Sequence, residues 1–295
     1  MAEKVPVLWP WQGGKARLAP WIANRLPPHR VYVEPFAGTA AVLLAKVPSP
    51  IEVLNDANGD IIAVYRCLQD PGLSRQLWRR IRWTPVSRAE WMTAHEPPDE
   101  SDLVEQAARF LVRMLQGFGG KPNASAWGGG VGDDIHLRIN RFLHRLRPVA
   151  DRLQAVVLET GDWATVVTRY EREDTVVYCD PPYLTATDHN TYTMGSWTET
   201  EQARLIEWAL HTPAMVILSG YDHPIYDALR QAGWHQEFRR LPVSVLGRTQ
   251  ASGLAGGHLD PETHYRQDCV WWSPSAWRRA RRQLNWFEDT SVEEQ

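Results

Sequence analysis

The sequence predicts an α/β protein, a doubly wound and mostly parallel sheet interrupted by a helical insertion. Two observations lead there. Six short β-branched runs end in polar or glycine-containing turns, with helical patterns between most of them, as in parallel sheets joined by crossover helices. Between about residues 67 and 154 the rhythm breaks, and the chain becomes Trp- and Arg-rich with helical spacing.

In chain order the strand candidates are 31–33, 51–54, 156–158, 175–178, 215–218 and 269–272. A helix is expected to begin near Ala40 after a small-residue turn. Another is expected at Thr198-Glu199-Thr200-Glu201, where a capping-box pattern precedes the apolar set Ala203, Leu205, Ile206 and Ala209. The insertion contains a glycine-dense segment from Gly117 to Gly130, and a second glycine-rich loop is expected at 252–257. The expected organisation is one discontinuous domain over 1–66 and 155–275, the insertion over 67–154, and a charged tail over 276–295 ending in a frayed helix.

The chain has 295 residues and a formal net charge of −3, within the range of soluble globular proteins. No apolar run approaches membrane-spanning length, and the first residues lack a signal-peptide layout, so a cytoplasmic protein is expected. Cys67, Cys179 and Cys269 are widely separated, which argues against a disulfide framework and a cysteine-based zinc site. Net negative charge weighs mildly against nucleic acid. Its distribution weighs the other way, because arginines gather at 138–152 and 278–282 and only Lys4, Lys15, Lys46 and Lys121 are lysines.

Asp180-Pro181-Pro182-Tyr183 directly follows the run 175–179. Consecutive prolines remove two backbone donors and fix φ twice, which holds a rigid turn at the ligand-binding edge of a parallel sheet. One carboxylate, a free carbonyl and an aromatic ring are the parts that hold a planar base bearing an amino group. Asp180 and the Pro181 carbonyl can each accept one of its hydrogens and Tyr183 can stack on its ring; the same four residues also suit a purely structural proline turn with a buried aromatic. Cys179 reads as a buried strand residue.

Glu34-Pro35-Phe36-Ala37-Gly38-Thr39 forms a small-residue turn between strand and helix, where the backbone can approach a ligand closely. It lacks the GxGxxG spacing, which disfavours a nicotinamide cofactor. Asp56 closes the next strand, at the distance from the turn where an acidic residue commonly binds ribose hydroxyls. In Trp11-Gln12-Gly13-Gly14-Lys15, two glycines allow a loop to fold over a cofactor carboxylate, with Lys15 as counter-charge.

Together these residues resemble the Dam-like DNA adenine-N6 methyltransferases of the D12 class, in which cofactor motifs precede the target-recognition region and DPPY follows it. The resemblance runs from about Trp9 to Trp272. It rests on Trp11 to Lys15, Glu34 to Gly38, Leu54-Asn55-Asp56, Val176 to Tyr183, Tyr192 to Trp197 and Leu218 to Asp222. It implies a Rossmann-like methyltransferase sheet with an inserted helical target-recognition domain. S-adenosyl-L-methionine would be the cofactor, S-adenosyl-L-homocysteine the product, and no metal is implied. Trp11, Lys15, Asp56 and Asp180 fall on cofactor-contacting positions, with Glu34, Gly38 and Asp162 as secondary contacts, and Asp180, Pro181, Pro182 and Tyr183 form the catalytic motif. The sequence departs from the family in Gly38-Thr39-Ala40 at the cofactor turn and in Ser219-Gly220, where the family has Ser-Asn. Gly117 to Lys121 matches the family's DNA-contacting loop only loosely, so no target sequence is carried over.

The expected substrate is adenine in double-stranded DNA, flipped from the duplex because its N6 amine cannot otherwise reach the cofactor. Phe118 would fill the gap left by the base, Lys121 and Asn123 would reach bases or backbone, and Arg138, Arg141 and Arg145 would share a phosphate-facing helix stripe. The same stripe is also what an ordinary solvated helix presents. A monomer in a bacterial or phage-infected cell is expected, with a cognate restriction endonuclease as a candidate partner. Two other readings stay open on the residues alone. The turn would also serve another planar amine, cytosine N4 or a glutamine amide, or the fold would persist in a catalytically idle DNA-binding factor.

Overall fold

The structure is a computed structural model, and it describes residues 6–11, 14–99, 101–118, 126–129, 134–183, 197–242 and 265–290. The side chains of 241–242, 265–267 and 283–290 are outside that description. The chain divides into two compact units, 1–24 with 31–169 and 25–30 with 170–295.

The first unit runs α1 (Ala19–Ala23), β1 (Val31–Glu34), α2 (Ala41–Ala45), β2 (Ile51–Asn55), α3 (Gly59–Gln69), α4 (Pro71–Trp83), α5 (Arg88–Thr93), α6 (Leu103–Gln116), α7 (Ile135–Leu153), β3 (Val156–Glu159) and α8 (Trp163–Tyr170). Its strands lie in the order β3-β2-β1, all parallel, with Val33 opposite Val53 and Val53 opposite Val157. β1 is buried along its whole length, the pattern of a strand covered on both faces. Asn58 caps α3 by accepting from the Asp60 amide at 3.0 Å, and Asp70 caps α4 through the amides of Gly72 and Leu73. Helices α4 and α6 pack on α3, as does α7, so the helices of the expected insertion share a compact unit with β1–β3.

A buried ion cluster fastens this unit. Glu52 on β2 pairs with Lys46 at 2.5 Å and with Arg152 of α7 at 2.5 Å. Burial pushes the Lys46 ammonium below its ordinary range, whereas the hydrogen bonds from Arg152 and Lys46 outweigh burial at Glu52 and hold its carboxyl low.

The second unit runs β4 (Thr175–Cys179), α9 (Glu199–His211), β5 (Met215–Gly220), α10 (Asp227–Gln231), β6 (His235–Pro242), β7 (Tyr265–Trp272) and α11 (Pro274–Thr290). The strand order is β4-β5-β7-β6. β4 and β5 are parallel, while β7 is antiparallel to both β5 and β6, so it is the last strand made and yet an interior one. Thr198 caps α9 by accepting from the Glu201 amide at 3.2 Å, as its sequence pattern predicts. The expected terminal helix is α11, whose Ala276 and Ala280 are buried. The architecture is the expected α/β class with mostly parallel, Rossmann-like strand pairing. Among the described residues no helix is long and apolar enough to cross a membrane.

Candidate functional site

In the first unit the chain leaves β1 and turns through Pro35–Ala40. Gly38 and Ala40 both take left-handed backbone, φ +47° and +50°. Glycine adopts that conformation without strain, and alanine does so at a cost of about 1 kcal/mol. The Ala37 amide donates to the Asn55 carbonyl at 2.8 Å and the Gly38 amide to the Asp56 carboxylate at 2.9 Å. Asp56 also accepts from the Asn58 amide at 2.9 Å. Two further partners come from side chains to which the sequence assigns no role, Asn55 within the Leu54-Asn55-Asp56 motif and Tyr65 outside any motif. The Tyr65 hydroxyl donates to the Gly38 carbonyl at 2.7 Å, and the Asn55 amide group donates to the carbonyls of Pro35 at 3.0 Å and Gly161 at 3.1 Å.

Burial pushes the Asp56 carboxyl up to about 6, against the two amide bonds that favour its charged form. Burial pushes the Tyr65 phenol well above its ordinary value, with Glu34 and Asp56 reinforcing the shift, so its hydroxyl stays protonated and able to donate. The Trp11 indole lies against the turn, where a Cβ placed on Gly38 would sit 3.7 Å from its Nε1. Lys15 is buried, and its carbonyl accepts from Leu18 and Ala19 at the start of α1. Glu34 is buried at the end of β1, accepting from the Tyr32 hydroxyl at 2.8 Å and the Leu43 amide at 2.6 Å, which ties it to α2. Asp162 is exposed and accepts from the Thr165 amide at 3.1 Å at the start of α8.

These residues fit an adenosyl cofactor. A carboxylate has about four acceptor sites, and the two amides bonded to Asp56 leave others for ribose hydroxyls. The Asn55 Oδ1 is buried with no hydrogen-bond partner among the described residues, which is unusual in a folded interior. Lys15 adds a cation, and the left-handed turn brings backbone close to whatever it faces.

In the second unit, β4 is buried throughout and Asp180-Pro181-Pro182-Tyr183 follows it directly. Pro181 is buried, while Asp180, Pro182 and Tyr183 are half-buried. Cys179 is fully buried, and burial with the neighbouring Asp180 charge pushes its thiol far above the ordinary range, as suits a strand residue rather than a nucleophile. The Tyr178 and Ser219 hydroxyls lie 2.8 Å apart and join β4 to β5. Gly220 stands where a Cβ would come within 2.7 Å of the Tyr226 hydroxyl, so glycine makes room for that phenol at the end of β5. The Tyr226 phenol is itself pushed up by burial and by the nearby Cys269 and Asp180.

The residues expected to meet DNA are dispersed. Phe118, just past α6, is 56% exposed, and its amide donates to the Ala126 carbonyl at 3.0 Å. Lys121 and Asn123 lie outside the described residues, as do the 252–257 loop and Tyr192 to Ser196. The arginines of α7 do not form one solvent-facing stripe. Arg138 is buried and donates to the Gly117 carbonyl at 3.2 Å, and half-buried Arg145 donates to the Val7 carbonyl at 3.1 Å. Arg141 is exposed, and Arg147 is 92% exposed beside Asp151. The reason is packing: Arg138 lies three and four residues from Ile135 and Phe142, on the helix's buried face.

A family model described as D12 class N6 adenine-specific DNA methyltransferase matches residues 11–240. The DNA adenine methylase of Escherichia coli strain K12 is 26% identical over 262 residues, covering 82% of this chain and 88% of that protein. The DNA adenine methylase of Salmonella typhi is 28% identical over 260 residues, with the same 82% and 88% coverage. The DNA N-6-adenine-methyltransferase of Escherichia phage P1 is 26% identical over 267 residues, covering 84% of this chain and 34% of that protein.

Proposed function

Because the chain belongs to the D12 class N6 adenine-specific DNA methyltransferases, we propose that it methylates adenine in duplex DNA at the Asp180-Pro181-Pro182-Tyr183 turn, using S-adenosylmethionine as the methyl donor. The observation that carries this reading is the position of that turn, directly after a fully buried parallel strand. Membership in an adenine-specific family removes the alternatives of cytosine N4 and a glutamine amide.

The N6 lone pair of adenine is delocalised into the ring, which makes the amine a weak nucleophile. The Asp180 carboxylate and the Pro181 carbonyl each accept one of its hydrogens. Two acceptors out of the base plane favour a pyramidal nitrogen with a localised lone pair. Neither proline offers an N–H to compete for the carboxylate. Tyr183 stacks on the base and offsets the few kcal/mol that flipping costs. The Asp180 charge also stabilises the positive charge that builds on N6 as it is alkylated. When bound, S-adenosylmethionine supplies a methyl group activated by its sulfonium. Asp56 takes the ribose hydroxyls, Lys15 faces the methionine carboxylate, and Trp11, Glu34, Gly38 and Asp162 complete the surround. Helices α4–α7 with Phe118, Lys121 and Asn123 serve as the recognition region.

The test is methyl transfer from labelled S-adenosylmethionine to mixed-sequence duplex DNA, followed by nucleoside analysis. Label in N6-methyladenine is the expected result. Label in N4-methylcytosine, or DNA binding without transfer by folded, cofactor-bound protein, would overturn the reading.

A further inference from the structure

The turn Pro35–Gly38 is held almost entirely from behind by one short stretch of chain. Among the described residues, four of its backbone polar groups have partners on β2, just past it, or on α3, and a fifth, the Ala37 carbonyl, accepts from the Ala40 amide at 2.6 Å. The Ala37 amide meets the Asn55 carbonyl and the Gly38 amide meets Asp56. The Pro35 carbonyl accepts from the Asn55 side chain and the Gly38 carbonyl from the Tyr65 hydroxyl. Asn55 also donates to Gly161, beside Asp162, so one carboxamide fixes both the turn after β1 and the loop that opens α8. Only an amide nitrogen can donate to two carbonyls, which settles the orientation of this side chain.

Tyr65 is equally committed. It is 1% exposed, packs against Trp9 with ring centroids 5.6 Å apart, and aims its only polar atom at Gly38. Gly38 is the residue most in need of restraint, since glycine in a left-handed turn has the widest choice of other conformations. A site whose backbone is locked by such outer contacts binds with less ordering at the moment of binding.

We infer that Asn55 and Tyr65 are positioning residues that set the affinity for S-adenosylmethionine by holding the 35–38 turn in its binding shape. The inference rests on placing the cofactor at this turn. It is tested on the full chain with Tyr65→Phe, which removes one oxygen and keeps the ring, with Asn55→Ala, and with Asp56→Ala as a direct-contact control. Calorimetry reads the Kd for S-adenosylmethionine, and steady-state kinetics separate KM for the cofactor from kcat.

Tyr65→Phe is expected to raise both Kd and cofactor KM about five-fold, the effect of one lost hydrogen bond, and Asn55→Ala about ten-fold or more. At saturating cofactor, kcat should stay within about two-fold, because the methyl-accepting groups are untouched. A purely structural role predicts a lower melting temperature with unchanged Kd, and that outcome in Tyr65→Phe would overturn the inference. So would a fall in kcat with KM unchanged. If Asn55→Ala fails to fold, Tyr65→Phe decides alone. If Asp56→Ala weakens binding while Tyr65→Phe does not, only this inference fails. If neither does, the cofactor assignment fails with it.

Discussion

The Tyr183 ring meets the Tyr221 ring edge-on, with centroids 4.7 Å apart and planes at 75°. Tyr183 follows the two prolines and Tyr221 follows β5, so one aromatic braces the other within the second unit. Edge-to-face pairs contribute about 0.5–1.5 kcal/mol beyond burial. Tyr221→Ala is therefore expected to lower kcat/KM for DNA by about two- to ten-fold, with cofactor affinity unchanged and Tyr221→Phe near wild type. An equal loss in Tyr221→Phe would show that the hydroxyl, not the ring, matters.

Asp180→Ala should abolish detectable transfer while the protein keeps its melting temperature, because a half-buried carboxylate after a strand is not part of the core. Asp180→Asn keeps an acceptor oxygen and loses the charge. Its kcat should fall by about 10²-fold or more, the scale of removing one electrostatic stabiliser. Near-wild-type turnover in either variant would remove this turn from the active site.

Acidity should act on Asp56 in two opposite directions. Its carboxyl is raised from 3.8 to about 6 in the fold. A carboxylate raised by folding contributes stability at low pH, and that contribution is lost as pH rises through about 6. Ribose hydroxyls need the ionised form, so cofactor affinity should instead weaken as pH falls through about 6. Calorimetry and thermal melts between pH 5 and pH 8 read the two trends on one protein, and both should flatten in Asp56→Asn. A pH-independent Kd would contradict the ribose assignment.

For DNA, exposed Arg141 is the arginine of α7 to test, since Arg138 and Arg145 donate to carbonyls of the protein itself. Arg141→Ala should weaken binding to all sequences alike and lower the slope of log affinity against log salt by roughly one. Phe118→Ala should reduce turnover with little change in that slope. An unchanged slope in Arg141→Ala would mark this face as merely solvated.

Glu52→Gln should destabilise the fold by about 3 kcal/mol or more, because Lys46 and Arg152 would remain buried without their anion. Glu52 is held below its ordinary value of 4.5, so its contribution is present above that pH and lost as acidification passes through the folded value. Denaturant melts at pH 7 and pH 3 should therefore separate wild type and variant at the first and bring them closer at the second.

Buried parallel strands read as continuous β-branched runs, so 31–33, 51–54, 175–178 and 215–218 fall inside β1, β2, β4 and β5, while 156–158 falls inside β3, whose Val157 is exposed but whose β-branched residues still mark a strand. β6 escaped notice. His235-Gln236-Glu237-Phe238-Arg239-Arg240 is a half-buried edge strand whose ladder runs to β7 alone, and hydrophobicity carries little signal there. The motif residues Gly38, Asp56 and Asp180 announce themselves through local spacing. Asn55 and Tyr65 act over 106 and 27 residues of sequence, as donors to Gly161 and Gly38, and no local pattern encodes such bonds. Arg138 is a different case. The apolar set Ile135, Phe142, Leu146 and Val149 defines the inward face of α7 and carries Arg138 with it, which the spacing of the arginines alone does not show.

The strand order of the second unit bears on how the chain is made. β5 ends at Gly220, and β7, which occupies its outer edge, begins at Tyr265. A ribosome working from the N-terminus therefore exposes the hydrogen-bonding edge of a fully buried, apolar strand until residues 265–272 have emerged. An open edge of that kind invites pairing with another nascent chain or capture by a chaperone. Premature termination anywhere between 221 and 264 would leave the DPPY turn synthesised but the sheet beside it unfinished, so nonsense mutations in that interval should behave as aggregating nulls rather than as shortened enzymes.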